Sequence, residues 1–564
     1  MKYLKCLLFA AALSGASVAY AQYPPVYKST ESVEHAQKMQ WWREAKFGMF
    51  MHWGAYAVSA GMWNERVDHT EWLMQEAGIS RRDYQQLPHA FNPVHFNADD
   101  WADLMVAAGQ KYFVFTTKHH DGFAMYDTKV DTFSICGATP YKKDVFGALC
   151  TAVRARGIHA GAYYSQGNDW NHKGGEVPGY RYWDSTLIGD FSRYIQEVAK
   201  PQLNEILDRY APIDLLWYDA NSSRFTIPQC LEIDSIAKSH PQLITNNRLD
   251  CQRRDFNGDY FTPEQYIPQV VYPDNDWEVC MTMNRHWMYC AYDDNWKSAD
   301  SIIRALAEVV SKGGNLLLNV GPDRYGNIPD ICRRTLLEIG DWLKTNGESI
   351  YGTTCSPYQY LPFGWATRKG NMLYLHVRDW QKEISLPEKL QVKKAYLLAY
   401  PEVKVSHRVC KGRSSFRLPE ICPDRRDAVL AVECAAPVPL LPVPSESAKM
   451  SWNGTSVPAL NDGDFMQDWK SGAMECVFEI HADAPMEVRC LKVVESFHLW
   501  QHQGQYYTLE MQDQGGEWNV LFKDGFSDGV GFSQAFAPVK GQNFRLTVKG
   551  VKGPVALKEV LLVY

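Results

Sequence analysis

Between Trp41 and Tyr351 the chain carries six near-continuously apolar runs: residues 47–53 (FGMFMHW), 112–117 (YFVFTT), 160–165 (AGAYYS), 213–219 (IDLLWYD), 243–246 (LITN) and 315–320 (NLLLNV). A strand covered on both faces has no solvent side to alternate with, so such runs predict a parallel sheet sheathed by helices. Helix-length amphipathic stretches separate them, at 98–108, 187–210 and 299–311. In the last, Ile302, Leu306, Val309 and Val310 fall on one face at helical spacing. Alternation sustained over this length predicts an α/β fold closed as a (β/α)8-like barrel. A doubly wound sheet would want a Gly-rich phosphate turn after its first strand, and HWGAYAVSAG is not one.

After Tyr351 the helical period disappears. Short strand-like runs at 366–377, 394–398 and 428–432 predict a small all-β sandwich that ends at the Pro-rich stretch 436–444 (APVPLLPVP), which reads as a linker. Runs at 488–494, 505–511, 518–521, 543–548 and 555–563 predict a second sandwich. The expected division is 1–21, 22–351, 352–440 and 441–564.

Residues 1–21 (MKYLKCLLFAAALSGASVAYA) place Lys2 and Lys5 before a short apolar stretch and end in Ala19-Tyr20-Ala21, the pattern of a cleaved secretory signal. The apolar stretch is too short to span a bilayer, so the expected product is periplasmic or secreted, with no membrane insertion. Fourteen cysteines, thirteen without Cys6, include no CxxC pair, so isolated thiols are expected, with one or two disulfides left open. Lys+Arg number 58 against 65 Asp+Glu, a net charge of -7, which gives no footprint for nucleic acid. Aromatics make up 13% of the residues, with 19 Trp and 31 Tyr, and such flat faces suit the C–H faces of sugars as well as a packed core.

In a (β/α)8 barrel the chemistry sits where the strands end. Five apolar runs end in polar or aromatic residues: His52-Trp53-Gly54; Lys118 through Phe123; Tyr163-Tyr164-Ser165 with Asp169-Trp170; Trp217-Tyr218-Asp219; and Asn247-Arg248. Together they describe a pocket that grips hydroxyls with His and Arg between aromatic walls. Asp219, held between aromatics at a strand end, is the candidate nucleophile of a retaining glycosidase, which needs a second, protonatable carboxyl opposite. A turn-capping Asp is the alternative reading. His119-His120-Asp121 does not predict a metal site, because adjacent strand residues point to opposite faces and no HxH or HExxH partner exists. The Gly-rich run 311–322 lacks a phosphate-loop Lys-Ser/Thr and reads as a tight turn into a strand.

HWG (52–54), KHHDGF (118–123), YYS (163–165), LLWYD (215–219), NNR (246–248), DYFTPE (259–264), WEVCMTMN (277–284) and SKGGNLLLNVGP (311–322) resemble, in order, the signatures of the α-L-fucosidases of glycoside hydrolase family 29. The resemblance implies a retaining exo-α-L-fucosidase acting on fucosylated glycans, with a barrel, a following β-sandwich, and no metal or organic cofactor. It assigns Asp219 as nucleophile and places His52, Glu71, Trp72, His119, His120, Tyr164, Trp217 and Arg248 around the sugar. Glu264 is the preferred acid/base and Glu278 the second choice. The terminal block resembles a discoidin-type, galactose-binding sandwich, which implies a second carbohydrate ligand. Ala220-Asn221-Ser222 follows the nucleophile where the family usually has Gly. A non-catalytic sugar-binding protein and an α-L-galactosidase remain rival readings, and both broad and α-1,3/4-restricted linkage preferences are compatible with the sequence.

Overall fold

The computed structural model describes residues 27–67, 69–177, 182–219, 224–249, 258–496 and 504–564. The secretory-signal pattern and the residues after Asp219 lie outside them. Seven parallel strands form one sheet: β1 (Phe47–Met51), β2 (Tyr112–Lys118), β3 (His159–Ser165), β4 (Leu215–Asp219), β5 (Ile244–Thr245), β6 (Glu278–Thr282) and β7 (Asn315–Val320), in the order β5-β4-β3-β2-β1-β7-β6. Every residue of β1, β2 and β7 is buried, as their unbroken apolar character requires.

The edges β5 and β6 do not pair directly. Residues 259–264 run between them and bridge Asn246 to Tyr260, Phe261 to Trp277 and Glu264 to Cys280, all parallel, so the sheet closes into a ring of eight staves. This stave and β6 were not among the expected strands. DYFTPE is short, polar and carries Pro263, and EVCMT is too brief to stand out as an apolar run.

The helices lie outside the ring. Asn97 caps Ala98–Ala107 by accepting from the backbone N–H groups of Asp99 and Asp100, and Trp101, Leu104 and Met105 pack inward. Ser298 caps Ala299–Ser311, whose buried residues include the expected stripe. The stretch expected at 187–210 begins only at Phe191, where Asp190 caps it, and includes two wider, π-type turns.

Beyond the barrel, a four-stranded antiparallel sheet (Val392–Leu397, Ala428–Cys434, Met372–Val377, Gly364–Lys369) and a three-stranded one (Glu383–Ser385, Arg413–Arg417, Ser406–Cys410) share a core that includes Leu375, Ile384, Phe416 and Leu430. The Pro-rich stretch expected to be a linker is instead packed down: Val438 and Val443 are buried, and Arg368 donates to Val438 O at 2.7 Å. The last sheet is built on two long paired strands, Glu475–Glu495 and Phe532–Gly550. Their alternation of buried Cys476, Phe478 and Ile480 with exposed Glu475, Val477 and Glu479 has period two, which extends them well beyond the short apolar runs. No two of the twelve described cysteines are joined in a disulfide. Among the described residues, no helix is long and apolar enough to cross a membrane.

Candidate active site

β4 delivers Asp219 as its last residue, at the C-terminal mouth of the barrel, with its side chain 17% exposed. Its surroundings are fixed from the two neighbouring staves, β3 and β5. The Tyr163 hydroxyl from β3 donates to Oδ2 at 2.7 Å. Arg248 Nη1, just past β5, donates to Oδ1 at 2.9 Å. The Asp219 backbone N–H donates to Gln166 Oε1 at 3.0 Å, while Gln166 Nε2 donates to Arg248 O at 2.9 Å. Asn246 clamps the residue before, accepting from Tyr218 N at 3.0 Å and donating to Tyr218 O at 2.9 Å. The carboxylate is thus held rigidly, as a nucleophile needs.

Arg248 also carries the second carboxyl. Its Nη2 lies 2.8 Å from Glu264 Oε2, and Glu264 ends the closing stave with its side chain 23% exposed. One guanidinium therefore spans two carboxyls at the same mouth. Arg248 is fixed in turn by Thr262 Oγ1 at 2.8 Å and lies over the Trp217 ring at 4.5 Å. The two carboxylates hold its guanidinium well above the usual arginine range despite its burial.

Glu278 is placed elsewhere. It is the first residue of β6, at the opposite end of the strands from Asp219, and it is fully buried. Tyr112 donates to its Oε2 and Trp217 Nε1 to its Oε1, and burial pushes its carboxyl up to about 7. It lies beneath Trp217, away from the mouth.

Three histidines line the pocket. His52 Nδ1 donates to Asn319 Oδ1 at 2.7 Å, and burial holds His52 down at about 4. His119 stacks on Tyr163 with ring centroids 5.4 Å apart and keeps a buried Nδ1 with no hydrogen-bond partner. His120 Nδ1 lies 2.7 Å from Ser165 Oγ, and its Nε2 stands 3.6 Å from Asp219 Oδ2. Burial lowers His119 well below the usual histidine range and His120 to about 4, so all three rings are neutral near pH 7. The expectation that His119 and His120 diverge is corrected. Both follow the last residue of β2 and enter a turn, and their rings lie only 4.1 Å apart. His119, His120 and Asp219 each bring a ligand atom within 4.8 Å of the others, a spacing a cation could use, although Arg248 already supplies positive charge to that carboxylate.

Trp72 stands at the pocket, edge-on to His120 at 5.0 Å and to Trp170 at 5.3 Å. Its neighbour Glu71 is buried, with Oε2 unpartnered, and burial raises its carboxyl to about 8, with Glu264 among the charges it feels. Tyr164 is a correction. Its hydroxyl donates to Gln202 Oε1 at 2.8 Å in the helix layer and its ring packs under Lys118, whereas Tyr163, one residue earlier, faces the barrel axis. The alternation of a strand decides this, and counting back two residues from Ser165, which meets His120, would have found it. Sequence reasoning also missed Gln166, Asn246 and Thr262. Tyr266, just beyond Glu264, was missed as well; burial and the Glu264 charge lift its hydroxyl to about 12.

A rigid carboxylate and a second carboxyl bridged by one arginine, among neutral histidines and aromatic walls at the mouth of a (β/α)8 barrel, define a glycoside hydrolase. The α-L-fucosidase family model matches residues 13–348. The tissue alpha-L-fucosidase of Bos taurus is 32% identical over 384 residues, covering 63% of this chain and 78% of that one. Among solved structures, alpha-L-fucosidase from Vibrio sp. strain EJY3 is 26% identical, covers 93% of this chain and 97% of its own, and has a TM-score of 0.73. A Bacteroides thetaiotaomicron GH29 alpha-L-fucosidase, trapped as a covalent intermediate with 2-fluoro-fucosyl fluoride, is 27% identical over 71% of this chain and 96% of its own, at a TM-score of 0.64. The chain belongs to the α-L-fucosidase family.

Proposed function

We propose that the site hydrolyses terminal α-L-fucosyl residues of fucosylated glycans by double displacement. Asp219 attacks the anomeric carbon while Glu264 gives its proton to the departing oxygen. A covalent β-fucosyl ester forms on Asp219 and the aglycone leaves. Glu264 then takes a proton from water as the water attacks the ester, and fucose departs with its α configuration restored. The observation that carries this reading is the Arg248 guanidinium bridging Asp219 and Glu264. It pairs with both carboxylates. Glu264 must leave that ion pair protonated to serve as acid, and sugar binding between the two carboxyls would drive this. His52, His119 and His120, being neutral, can each donate to and accept from ring hydroxyls.

Glu278 supports the reading from below. It fixes Trp217, on which both Arg248 and Tyr163 rest.

Two assays test the proposal. Turnover of an aryl α-L-fucoside with little turnover of the matching α-L-galactoside is expected. Incubation with 2-deoxy-2-fluoro-fucosyl fluoride is expected to add one fluorofucosyl group to the peptide that contains Asp219. A label on any other residue, or sugar binding without fucose release, refutes it.

The same reading includes cleavage of α-1,3/4-linked fucose and export directed by residues 1–21, which mass spectrometry of a chain beginning at Gln22 would register. It also includes a second carbohydrate surface on the terminal sheet. Tyr506 and Phe526 face each other across a strand pair with ring centroids 5.1 Å apart, 41% and 55% exposed. Loss of glycan retention in Tyr506→Ala at unchanged aryl-fucoside turnover is the expected result.

A further inference from the structure

The segment after Glu264, residues 265–272, is gripped both by the barrel and by the two β-blocks beyond it. Gln265 leaves the closing stave in left-handed backbone (φ 62), and its side chain pairs with Thr282. Beyond it, Lys312 Nζ donates to Pro268 O at 2.6 Å and Lys492 Nζ to Gln269 O. Gln359 brackets Val271, accepting from its N–H at 2.8 Å and donating to its carbonyl at 3.0 Å. Phe465 meets Tyr272 edge-on, with centroids 5.1 Å apart. Lys492 and Phe465 both belong to the terminal β-block, far from the barrel in sequence. Against Gln269 the same block presents Gly531. A Cβ there would stand 3.3 Å from Gln269 Cγ, and the Gly531 N–H is anchored by Glu495 Oε2 at 2.8 Å.

Burying an ammonium is costly, and Lys492, 5% exposed, directs its hydrogen bond at a main-chain carbonyl of this segment. Burial, with the nearby Lys312 charge, holds it down at about 8. The closing stave is held to β6 up to Gln265, where Cys280 N donates to Pro263 O and Gln265 N to Cys280 O, and past that point the course of the chain depends on what grips residues 265–272.

We propose that the terminal β-sheet is a working part of the active site, and that Lys492, acting through Gln269, is a positioning residue that sets the reach of Glu264 toward the leaving-group oxygen. The proposal rests on the reading of Glu264 as acid/base. Small displacements of an acid from its leaving group are expensive, so the effect should fall on substrates that need the proton.

The test uses the full chain and two substrates: 4-methoxyphenyl α-L-fucoside, a poor leaving group, and α-L-fucosyl fluoride, whose fluoride departs with little need of a proton. Lys492→Met is expected to lower kcat/KM about tenfold on the first and less than about twofold on the second. Equal losses on both, or no loss on either, overturn the proposal. Should Lys492→Met fail to fold, Phe465→Leu reads the same two substrates with the same expected asymmetry and the same overturning outcomes. Glu264→Ala serves as the separate control. If azide does not restore its turnover as α-fucosyl azide, the reading of Glu264 fails, whatever Lys492→Met does.

Discussion

Arg248 lies 2.9 Å from Asp219 through one guanidinium nitrogen while its other terminal nitrogen holds Glu264. The positive charge faces both carboxyls, and its planar fork sets how far apart they can stand. Replacing it with lysine keeps the charge but loses the fork. Arg248→Lys should lower kcat/KM on aryl α-L-fucosides by about 10–100-fold, with the larger part in kcat. Steady-state kinetics check this, and a near-normal enzyme would show that the bridge has no catalytic weight.

Removing Asp219, the proposed nucleophile, should give a stereochemical signature. Asp219→Gly should reduce turnover by on the order of a thousandfold or more, and azide should restore part of it as the β-fucosyl azide. Product stereochemistry by NMR is decisive, since azide rescue at an acid/base position gives the α-anomer instead.

Tyr163 and Tyr164 are adjacent, and their roles should separate cleanly. Tyr163→Phe removes the donor to Asp219 and should cost about tenfold or more in kcat with little change in melting temperature. Tyr164→Phe removes only the bond to Gln202 and should cost about 1 kcal/mol of stability with kcat intact. Paired kinetics and thermal unfolding of the two variants test the assignment.

Glu278 makes a pH prediction with a definite sign. Its folded carboxyl is raised to about 7 against an ordinary value of 4.5, because burial disfavours the charged form. Over that window the folded state binds the extra proton, so the stability this residue contributes is present below 4.5 and is lost as pH rises through 7. Glu278→Gln cannot titrate, so its melting temperature relative to the parent should climb between pH 4.5 and 7. A flat difference would mean that the carboxyl is ionised throughout. Azide should not rescue the variant's activity at any pH.

The strands that were legible were those with no polar residue to interrupt them, such as NLLLNV and YFVFTT, and the site residues that were legible were polar groups ending them. Asp219 stood out because a carboxylate at the end of LLWY has no burial motive. Glu264 is preferred to Glu278 in the sequence only through the family resemblance, because each follows an aromatic-rich strip and the two differ only in which end of a stave they occupy. That is a matter of register, visible once Glu264 pairs with Cys280 and Glu278 is seen two residues before it on β6. Tyr164 was chosen over Tyr163 by motif position, and a one-residue error on a strand reverses the face. The packing of 436–444 was hidden because proline reads as a spacer whether or not the valines among it are covered.

The eighth stave has a consequence for how such enzymes diversify. The proposed attacking group, Asp219, ends a strand paired with β3 along its whole length, while its proposed proton-bearing counterpart rides on a span stitched by isolated bridges and steadied by a distant sheet. On that reading, a change of length in 265–272 would move the proton donor while leaving β4 and the residues that hold Asp219 where they are.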